Sequence, residues 1–277
     1  MRATLGDAFQ EKLAMAPRVG YWPEIKSPRS FNEKIVHRKL FTDDEVFVKV
    51  SDKWLVRDYV ARKVGSDILN EVYHVGQNPE DIPFDELPDS FVLKGNHGSG
   101  FNRIVEDKAR ETLSDLKREC SNWLSESYGE SKHEYWYSKI DPRIIVENLL
   151  SDEEYGIPLD YKFHVFGGKV EYIQVDIDRF GDHTRRMYTQ DWEPKDFTLK
   201  YPLGPDIPEP EKLDEMISVA QKLGGDFDYV RVDLYQPDGE KIVFGELTLA
   251  PGTGHERFTP KRWDFKLGSE WPVENMG

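Results

Sequence analysis

The sequence predicts an α+β fold in which antiparallel strand pairs pack against a small number of helices. Four segments alternate apolar and polar residues as half-buried strands do, and they occur as two pairs, 161–166 with 169–177 and 229–235 with 241–249. Gly167-Gly168 separates the first pair, and Gln236-Pro237-Asp238-Gly239 separates the second. Both are turn sequences, so each pair is predicted to be a β-hairpin.

Shorter segments supply the remaining predicted elements. Apolar runs at 91–94 and 143–147 predict two more strands. Helical spacing in 54–60, directly after Ser51-Asp52, predicts a capped helix, and 113–124 and 213–223 predict two others. The proline-rich stretches 78–89 and 202–210 are predicted to be loops.

Composition excludes several classes of protein. The 52 acidic and 37 basic residues leave a net charge of -15, which argues against nucleic acid as a partner because phosphate contacts need clustered cations. Cys120 is the only cysteine, so no internal disulfide and no cysteine cluster for zinc can form. The apolar runs are too short for a signal peptide core or a membrane span. These features predict a cytoplasmic protein.

A glycine-rich segment, 94–102, follows the predicted strand at 91–94. Gly95 and Gly100 have the spacing of a phosphate-binding P-loop, but Phe101-Asn102 stands where that motif needs Lys and Ser or Thr. Backbone N–H groups in a loop without bulky side chains can still approach phosphate, and Lys94 adds a positive charge. The alternative is a mobile hairpin tip.

The second hairpin carries a candidate metal site. Residues two apart in a strand share a face, so Arg231 and Asp233 point one way, and Glu246 and Thr248 share a face of the other strand. A turn at 238–239 places Asp233 beside Glu246, where the two carboxylates repel unless a cation lies between them. Mg²⁺ prefers such oxygen ligands. The alternative is a solvated polar face.

Two further groups of charged residues offer weaker signals. Asp160, Lys162 and His164 alternate along one strand face, from which the lysine could reach a phosphate, although such charges also serve solubility. Arg185-Arg186 could hold a substrate carboxylate, although paired loop arginines are also commonly solvated.

The order of these motifs resembles the TupA-like branch of the ATP-grasp superfamily, named for a teichuronopeptide biosynthesis protein, over roughly residues 27–270. The opening runs 30–35, Ser51-Asp52-Lys53 and 56–60 are similar to that branch's opening signature. The resemblance implies an ATP-grasp fold, in which two subdomains with antiparallel sheets and flanking helices grip ATP. It also implies a reduced N-terminal lobe at 1–50, a small subdomain with the glycine-rich loop at 51–147, and a large subdomain with the metal-binding hairpin at 148–277.

The resemblance also implies roles for individual residues. Cofactor binding is implied for Lys53, Lys94, Gly98, Ser99, Gly100, Glu147, Leu149, Asp160 and Lys162, with Glu147 and Leu149 at the adenine and Asp160 near the ribose. Catalytic cations are implied at Lys94, Lys162 and Arg231, and magnesium ligands at Asp233, Glu246 and Thr248. Thr248 departs from the asparagine that most of the superfamily has there.

The implied function is an ATP- and Mg²⁺-dependent ligase, which activates a carboxylate as an acyl phosphate and joins it to an amine. Its implied partners are small-molecule carboxylate and amine substrates, for example an amino acid and a uronic acid of a cell-surface glycan precursor. One alternative is a kinase acting on a hydroxyl group. Another is a non-catalytic nucleotide- or glycan-binding protein, which the departure at Thr248 motivates.

Overall fold

The computed structural model of the chain describes residues 5–179 and 181–271. The α-helices in these ranges are α1 (Leu5–Val19), α2 (Phe31–Phe41), α3 (Glu45–Ser51), α4 (Val56–Val64), α5 (Leu113–Ser125), α6 (Leu213–Gly224) and α7 (Arg262–Glu270). The strands in these ranges are β1 (Val72–Gly76), β2 (Phe91–Gly95), β3 (Asn102–Val105), β4 (Ile144–Glu147), β5 (Asp160–Phe166), β6 (Lys169–Ile177), β7 (Thr184–Tyr188), β8 (Pro194–Lys195), β9 (Thr198–Leu199), β10 (Tyr229–Tyr235), β11 (Val243–Thr248) and β12 (Phe258–Thr259). None of the described helices is long and apolar enough to cross a membrane.

The chain forms two compact units. One consists of the described residues within Met1–Asp43 and Asp152–Gly277, and the other is the continuous segment Asp44–Ser151. We call them the discontinuous unit and the inserted unit. The described residues before position 44 therefore pack with the second half of the chain. The functional domain boundaries suggested by the sequence stay predictions.

The inserted unit is built on a four-stranded antiparallel sheet with the strand order β1-β4-β2-β3. Helix α5 covers one face, where Leu116, Cys120 and Trp123 join Phe91 and Leu93 in one buried apolar cluster. Burial raises the pKa of the Cys120 thiol to about 12, so the thiol stays protonated and behaves as an apolar side chain.

The discontinuous unit is built on a six-stranded antiparallel sheet with the strand order β11-β10-β5-β6-β7-β8. Helix α6 packs on β5, β6 and β10, and the strand residues between the polar positions, such as Val165, Val230 and Val232, are fully buried. The alternation of the sequence thus gives this sheet one apolar face under a helix and one face rich in charged groups.

Helix α2 is buried in the discontinuous unit despite its charges. Ser30 and Glu33 form a reciprocal capping box at its start, in which the Ser30 hydroxyl accepts from the Glu33 N–H and the Glu33 carboxylate accepts from the Ser30 N–H. Lys34 donates to the carbonyls of Gly268 and Trp271, at 2.7 and 2.9 Å. The segment 30–35, noted as a family signature, is therefore a helix start held inside the core.

The structure bears out most predicted elements. Both hairpins form, at least four residues of each predicted strand lie in a strand, and Gly167 and Gly168 have φ of 53° and 82°, as a two-residue hairpin turn requires. One boundary was wrong: the helix predicted to start after Ser51-Asp52 starts at Val56. Asp52 instead accepts the N–H groups of Trp54 and Leu55, which caps the turn before the helix.

Candidate functional site

The charged face of the six-stranded sheet brings together acids and bases that are far apart in the sequence. Asp233 on β10 lies opposite Lys162 on β5 and opposite Glu246 on β11. Strand β11 has a bulge next to Glu246. Gly245 is an extra residue there, between Glu246, the partner of Asp233, and Phe244, the partner of Leu234. The cross-strand placement of Asp233 and Glu246 expected from alternation is therefore present in the structure.

Lys162 lies at the centre of this face and is almost fully buried. Its ammonium group pairs with Asp160 and lies 3.3 Å from Asp233 Oδ2 and 3.6 Å from Asp176 Oδ2. Burial raises the pKa of Asp160, although Lys162 and Arg179 act in the opposite direction. Burial acts likewise on Asp233, but Arg231 and Lys162 outweigh it and lower the pKa of that carboxyl.

Arg231 connects the three side chains expected to bind a metal. Its Nε and Nη2 donate to the two oxygens of Asp233 at 2.7 and 2.6 Å, a bidentate ion pair. The same Nη2 lies 3.3 Å from Glu246 Oε1 and 3.0 Å from Thr248 Oγ1. The Thr248 hydroxyl donates to Glu246 at 2.9 Å. One cationic nitrogen is thus surrounded by the three oxygens.

These three residues fit a magnesium ion in the type and placement of their oxygens. They already converge on a positive charge, and two carboxylates with one hydroxyl are ligands that leave further positions for water and phosphate. No group of three or more His, Cys, Asp or Glu side chains positioned for a metal occurs in the described parts of the chain. Oxygens of water or of a bound phosphate would have to complete the coordination.

Asp176 is a member of this face that the sequence reasoning missed. It accepts from Arg185 Nε at 2.5 Å and from Gln174 Nε2 at 3.2 Å, besides facing Lys162. Burial would raise its pKa, but Lys162 and Arg185 outweigh burial and hold the pKa well below its usual value. The alternation of 169–177 was a usable signal, because it places Gln174 and Asp176 on one face of the strand that pairs with β5.

The adjacent arginines of β7 have separate partners. Arg185 is buried, pairs with Asp176 and donates to the Leu199 carbonyl at 2.9 Å. Arg186 pairs with Asp206 at 2.6 Å and with Asp196 at 3.3 Å. Because neighbouring strand residues point to opposite faces, the two guanidinium groups do not form one carboxylate clamp.

His164 is a buried neutral group beside this face. Its ring nitrogens lie 3.0 Å from the Tyr229 hydroxyl and 3.4 Å from Gln174 Oε1. Burial, together with the positive charge of Arg231, lowers the pKa of His164 to about 3. The ring therefore adds no charge near neutral pH and links Tyr229 to the Gln174–Asp176 pair.

The glycine-rich loop of the inserted unit is held by its own buried side chains. The side-chain Oδ1 of Asn96 accepts from the Arg143 N–H at 2.7 Å, and His97 Nε2 lies 3.1 Å from the Trp123 carbonyl. A Cβ at Gly98 would lie 2.7 Å from Phe101 Cε2, so only glycine fits there. Ser99 and Gly100 are exposed at the tip. The loop is a packed turn with an accessible tip.

The remaining residues implied in nucleotide binding lie around this loop and at the end of β4. The Lys53 ammonium group donates to the Gly98 carbonyl, and Lys94 forms an ion pair with Glu147. Asn148, the residue after β4, donates its N–H to the Glu71 carbonyl at 3.0 Å, and Leu149, which follows it, is half-buried. Their proposed contacts with a nucleotide stay predictions.

The chain matches one protein-family model and is similar to several solved structures. The TupA-like ATPgrasp family profile matches residues 33–271. No curated protein matches significantly. Among solved structures, N5-carboxyaminoimidazole ribonucleotide synthetase purK, an ADP complex, is similar with TM-score 0.45 and 13% identity, over 74% of this chain and 46% of that one. D-alanine–D-alanine ligase from Bacillus anthracis is similar with TM-score 0.43 and 19% identity, over 73% and 57%.

A third similar structure is the ATP-grasp ligase PsnB in complex with a phosphomimetic variant of a minimal precursor, Mg and ADP. Its TM-score is 0.41 and its identity 14%, over 76% of this chain and 53% of that one. The chain thus spans about half the length of the solved structures that it matches.

Proposed function

This chain belongs to the TupA-like ATP-grasp family, and from that premise we propose that it is an ATP-dependent ligase that joins a carboxylate to an amine through an acyl phosphate. The observation that carries the proposal is the convergence of Asp233, Glu246 and Thr248 on one cationic nitrogen, beside the buried ammonium group of Lys162. Such a set of oxygens and cations suits a metal-bound nucleotide.

The proposed reaction has two steps. A carboxylate oxygen of the first substrate bonds to the γ-phosphorus of ATP, while the bond from that phosphorus to the bridging oxygen breaks and ADP leaves with the electron pair. The nitrogen of the amine then bonds to the carbonyl carbon of the acyl phosphate. The carbon–oxygen bond to phosphate breaks, the nitrogen loses a proton, and amide, ADP and phosphate result.

The residues of the chain would act by charge and position. Lys94, Lys162 and Arg231 would offset negative charge on the transferred phosphoryl group, since catalysis of this kind consists mainly of positioning and electrostatic stabilisation. Asp233, Glu246 and Thr248 would hold Mg²⁺, which when bound neutralises phosphate charge. No side chain has to become a covalent nucleophile, which accords with the protonated, buried state of Cys120.

Other residues would bind the nucleotide. Lys53 and the loop residues Gly98, Ser99 and Gly100 would contact its phosphates, because Ser99 and Gly100 are exposed and Lys53 already reaches the Gly98 carbonyl. For Glu147 and Leu149 at the adenine, and Asp160 at the ribose, the support is the family resemblance of their motifs. The Lys94–Glu147 ion pair would then open or shift when the base and phosphates bind.

The substrate class is proposed from the same resemblance. The opening segment and the Asp52-Lys53 motif are similar to the teichuronopeptide branch, which favours a small-molecule carboxylate and an amine of which one belongs to a glycan precursor. An amino acid and a uronic acid are the first pair to test. The cytoplasmic location and the absence of a nucleic-acid partner stay predictions from composition.

A screen for ADP release tests the proposal. Purified protein with MgATP is incubated with combinations of amino acids and uronic acids, and the products are weighed by mass spectrometry. An adduct joined with loss of water supports the ligase. A substrate that gains one phosphate instead means a kinase, and MgATP binding with no turnover on any combination means a non-catalytic binding protein.

A further inference from the structure

The guanidinium group of Arg231 holds the same three oxygens that would hold the metal. Its Nη2 lies 2.6 Å from Asp233 Oδ2, 3.0 Å from Thr248 Oγ1 and 3.3 Å from Glu246 Oε1. The cause is the register: Arg231 lies opposite Thr248, and Asp233 lies opposite Glu246, so all four side chains leave one face of the β10–β11 pair. A positive charge on the chain itself therefore resolves the repulsion between the two carboxylates.

A metal ion bound by these oxygens would compete with the guanidinium group of Arg231. A second positive charge at hydrogen-bonding distance from the guanidinium would be repelled, and the bidentate pair with Asp233 takes both oxygens of that carboxylate. The surroundings increase the competition, because Asp233 is 3% exposed and also lies 3.3 Å from the Lys162 ammonium group. A metal ion that arrives alone must therefore displace Arg231 from a desolvated carboxylate.

We propose that Arg231 is an internal competitor for the metal, which keeps the Asp233–Glu246–Thr248 site closed to free divalent ions until a metal–nucleotide complex displaces its guanidinium group. The inference rests on the proposed function for the identity of the site. A metal that carries phosphates brings negative charge as well, so the displaced guanidinium group gains a new anionic partner on the nucleotide. Free Mg²⁺ or Mn²⁺ offers Arg231 no such partner.

The competition predicts that one substitution raises the affinity of the protein for a free metal ion. Replacing Arg231 with Gln removes the competing charge but leaves the three oxygens in place, so the variant should bind a free divalent ion more tightly than the wild-type protein. A residue that merely supported the metal site would give the opposite result. Turnover should fall in the same variant, because the phosphoryl group loses a cation, so metal affinity and activity should move in opposite directions.

The experiment measures Mn²⁺ binding to nucleotide-free protein by electron paramagnetic resonance. We expect Arg231→Gln to bind one Mn²⁺ about tenfold more tightly than wild type or better. The gain should disappear in the double variant Arg231→Gln with Glu246→Gln. Arg186→Gln is the matched control, because Arg186 is a paired arginine on another strand of the same sheet, and its Mn²⁺ affinity should equal that of wild type.

Equal or weaker Mn²⁺ binding by Arg231→Gln overturns the inference. If Arg231→Gln does not fold, Arg231→Lys replaces it, since a single ammonium group reaches fewer of the oxygens and should give a smaller gain of the same sign. Calorimetric titration of the wild-type protein with MgATP separates the two proposals. If the wild-type protein binds MgATP but Arg231→Gln shows no gain in Mn²⁺ affinity, only the inference about Arg231 is refuted. If the wild-type protein does not bind MgATP, the proposed function is refuted.

Discussion

Replacing Asp176 with Asn tests whether the charged face depends on a residue that carries no predicted role. The substitution keeps the shape of the side chain but removes its negative charge and turns one acceptor into a donor. Arg185 then loses its anionic partner at 2.5 Å, and Lys162 loses the carboxylate 3.6 Å away. Lys162 keeps Asp160 and Asp233, so the main cost falls on Arg185.

The size of the effect follows from burial. Asp176 and Arg185 are 4% and 7% exposed, so the substitution removes the nearest carboxylate from an arginine held away from water and leaves it only Glu256 Oε2, 3.7 Å from Nη1. Removing one partner of such a buried pair costs about 3–5 kcal/mol of unfolding free energy. Because Asn keeps one oxygen and Arg185 also donates to the Leu199 carbonyl, we expect a value near the lower end, about 3 kcal/mol.

Urea denaturation at pH 7 measures this cost, with Glu171→Gln as the control. Glu171 is also ion-paired on the same sheet, but its partner Lys169 is 63% exposed, so the control should cost only about 0–1 kcal/mol.

Asp176 has a lowered pKa when folded, so the stabilisation it gives is present above its unfolded pKa of about 3.9 and is lost as the pH falls below that value. The Asn variant should lack that acid-dependent loss. Equal unfolding free energies for Asp176→Asn and Glu171→Gln would refute the reasoning.

Two further predictions concern the loop and the buried histidine. In Gly98→Ala the new Cβ would lie 2.7 Å from the Phe101 ring and 2.8 Å from the Tyr128 ring, so thermal denaturation should show a loss of about 1–3 kcal/mol, whereas Ser99→Ala at the exposed tip should change little. A wild-type melting temperature for Gly98→Ala would show that the rings do not enclose the loop. The pKa of His164 is lowered to about 3, so its unfolded form takes up a proton below pH 6.5 while its folded form does not, and stability falls as the pH falls. Urea titrations at pH 7 and 4.5 should show that His164→Gln removes about 2 kcal/mol of this fall. Equal losses of unfolding free energy in the variant and the wild type would contradict the prediction.

The sequence predicted the charged face because strand alternation is a local property. Asp233 and Glu246 are register partners, as the two-residue period and the turn at 238–239 required. The bulge at Gly245 was not predictable from that period, because an extra residue in one strand changes the pairing beyond it. It lies on the turn side of Glu246, so the candidate site kept the expected register.

Partners chosen by tertiary structure could not be predicted. Arg38 is buried because it donates to the carbonyls of Tyr229 and Leu249, about 200 positions away in the chain. Nothing in the helical pattern of 31–41 indicates those acceptors, although Ser30 and Glu33 did carry a readable capping signal. The ion pair between Lys94 and Glu147 could not be predicted either, because the sequence motifs suggested a separate nucleotide contact for each residue and no contact between the two.

The most direct test of the proposed phosphoryl chemistry is the turnover of Glu246→Gln, measured as ADP formation with MgATP and the substrate pair found in the screen. Glu246 is 47% exposed, so the metal-free variant should unfold within about 1 kcal/mol of wild type. Its turnover should nevertheless fall by about a hundredfold or more, because one proposed metal ligand is lost. Glu240→Gln, at an exposed turn of the same hairpin, should keep full activity. Near-wild-type ADP formation by a folded Glu246→Gln protein would contradict the metal site and the proposed reaction at this hairpin.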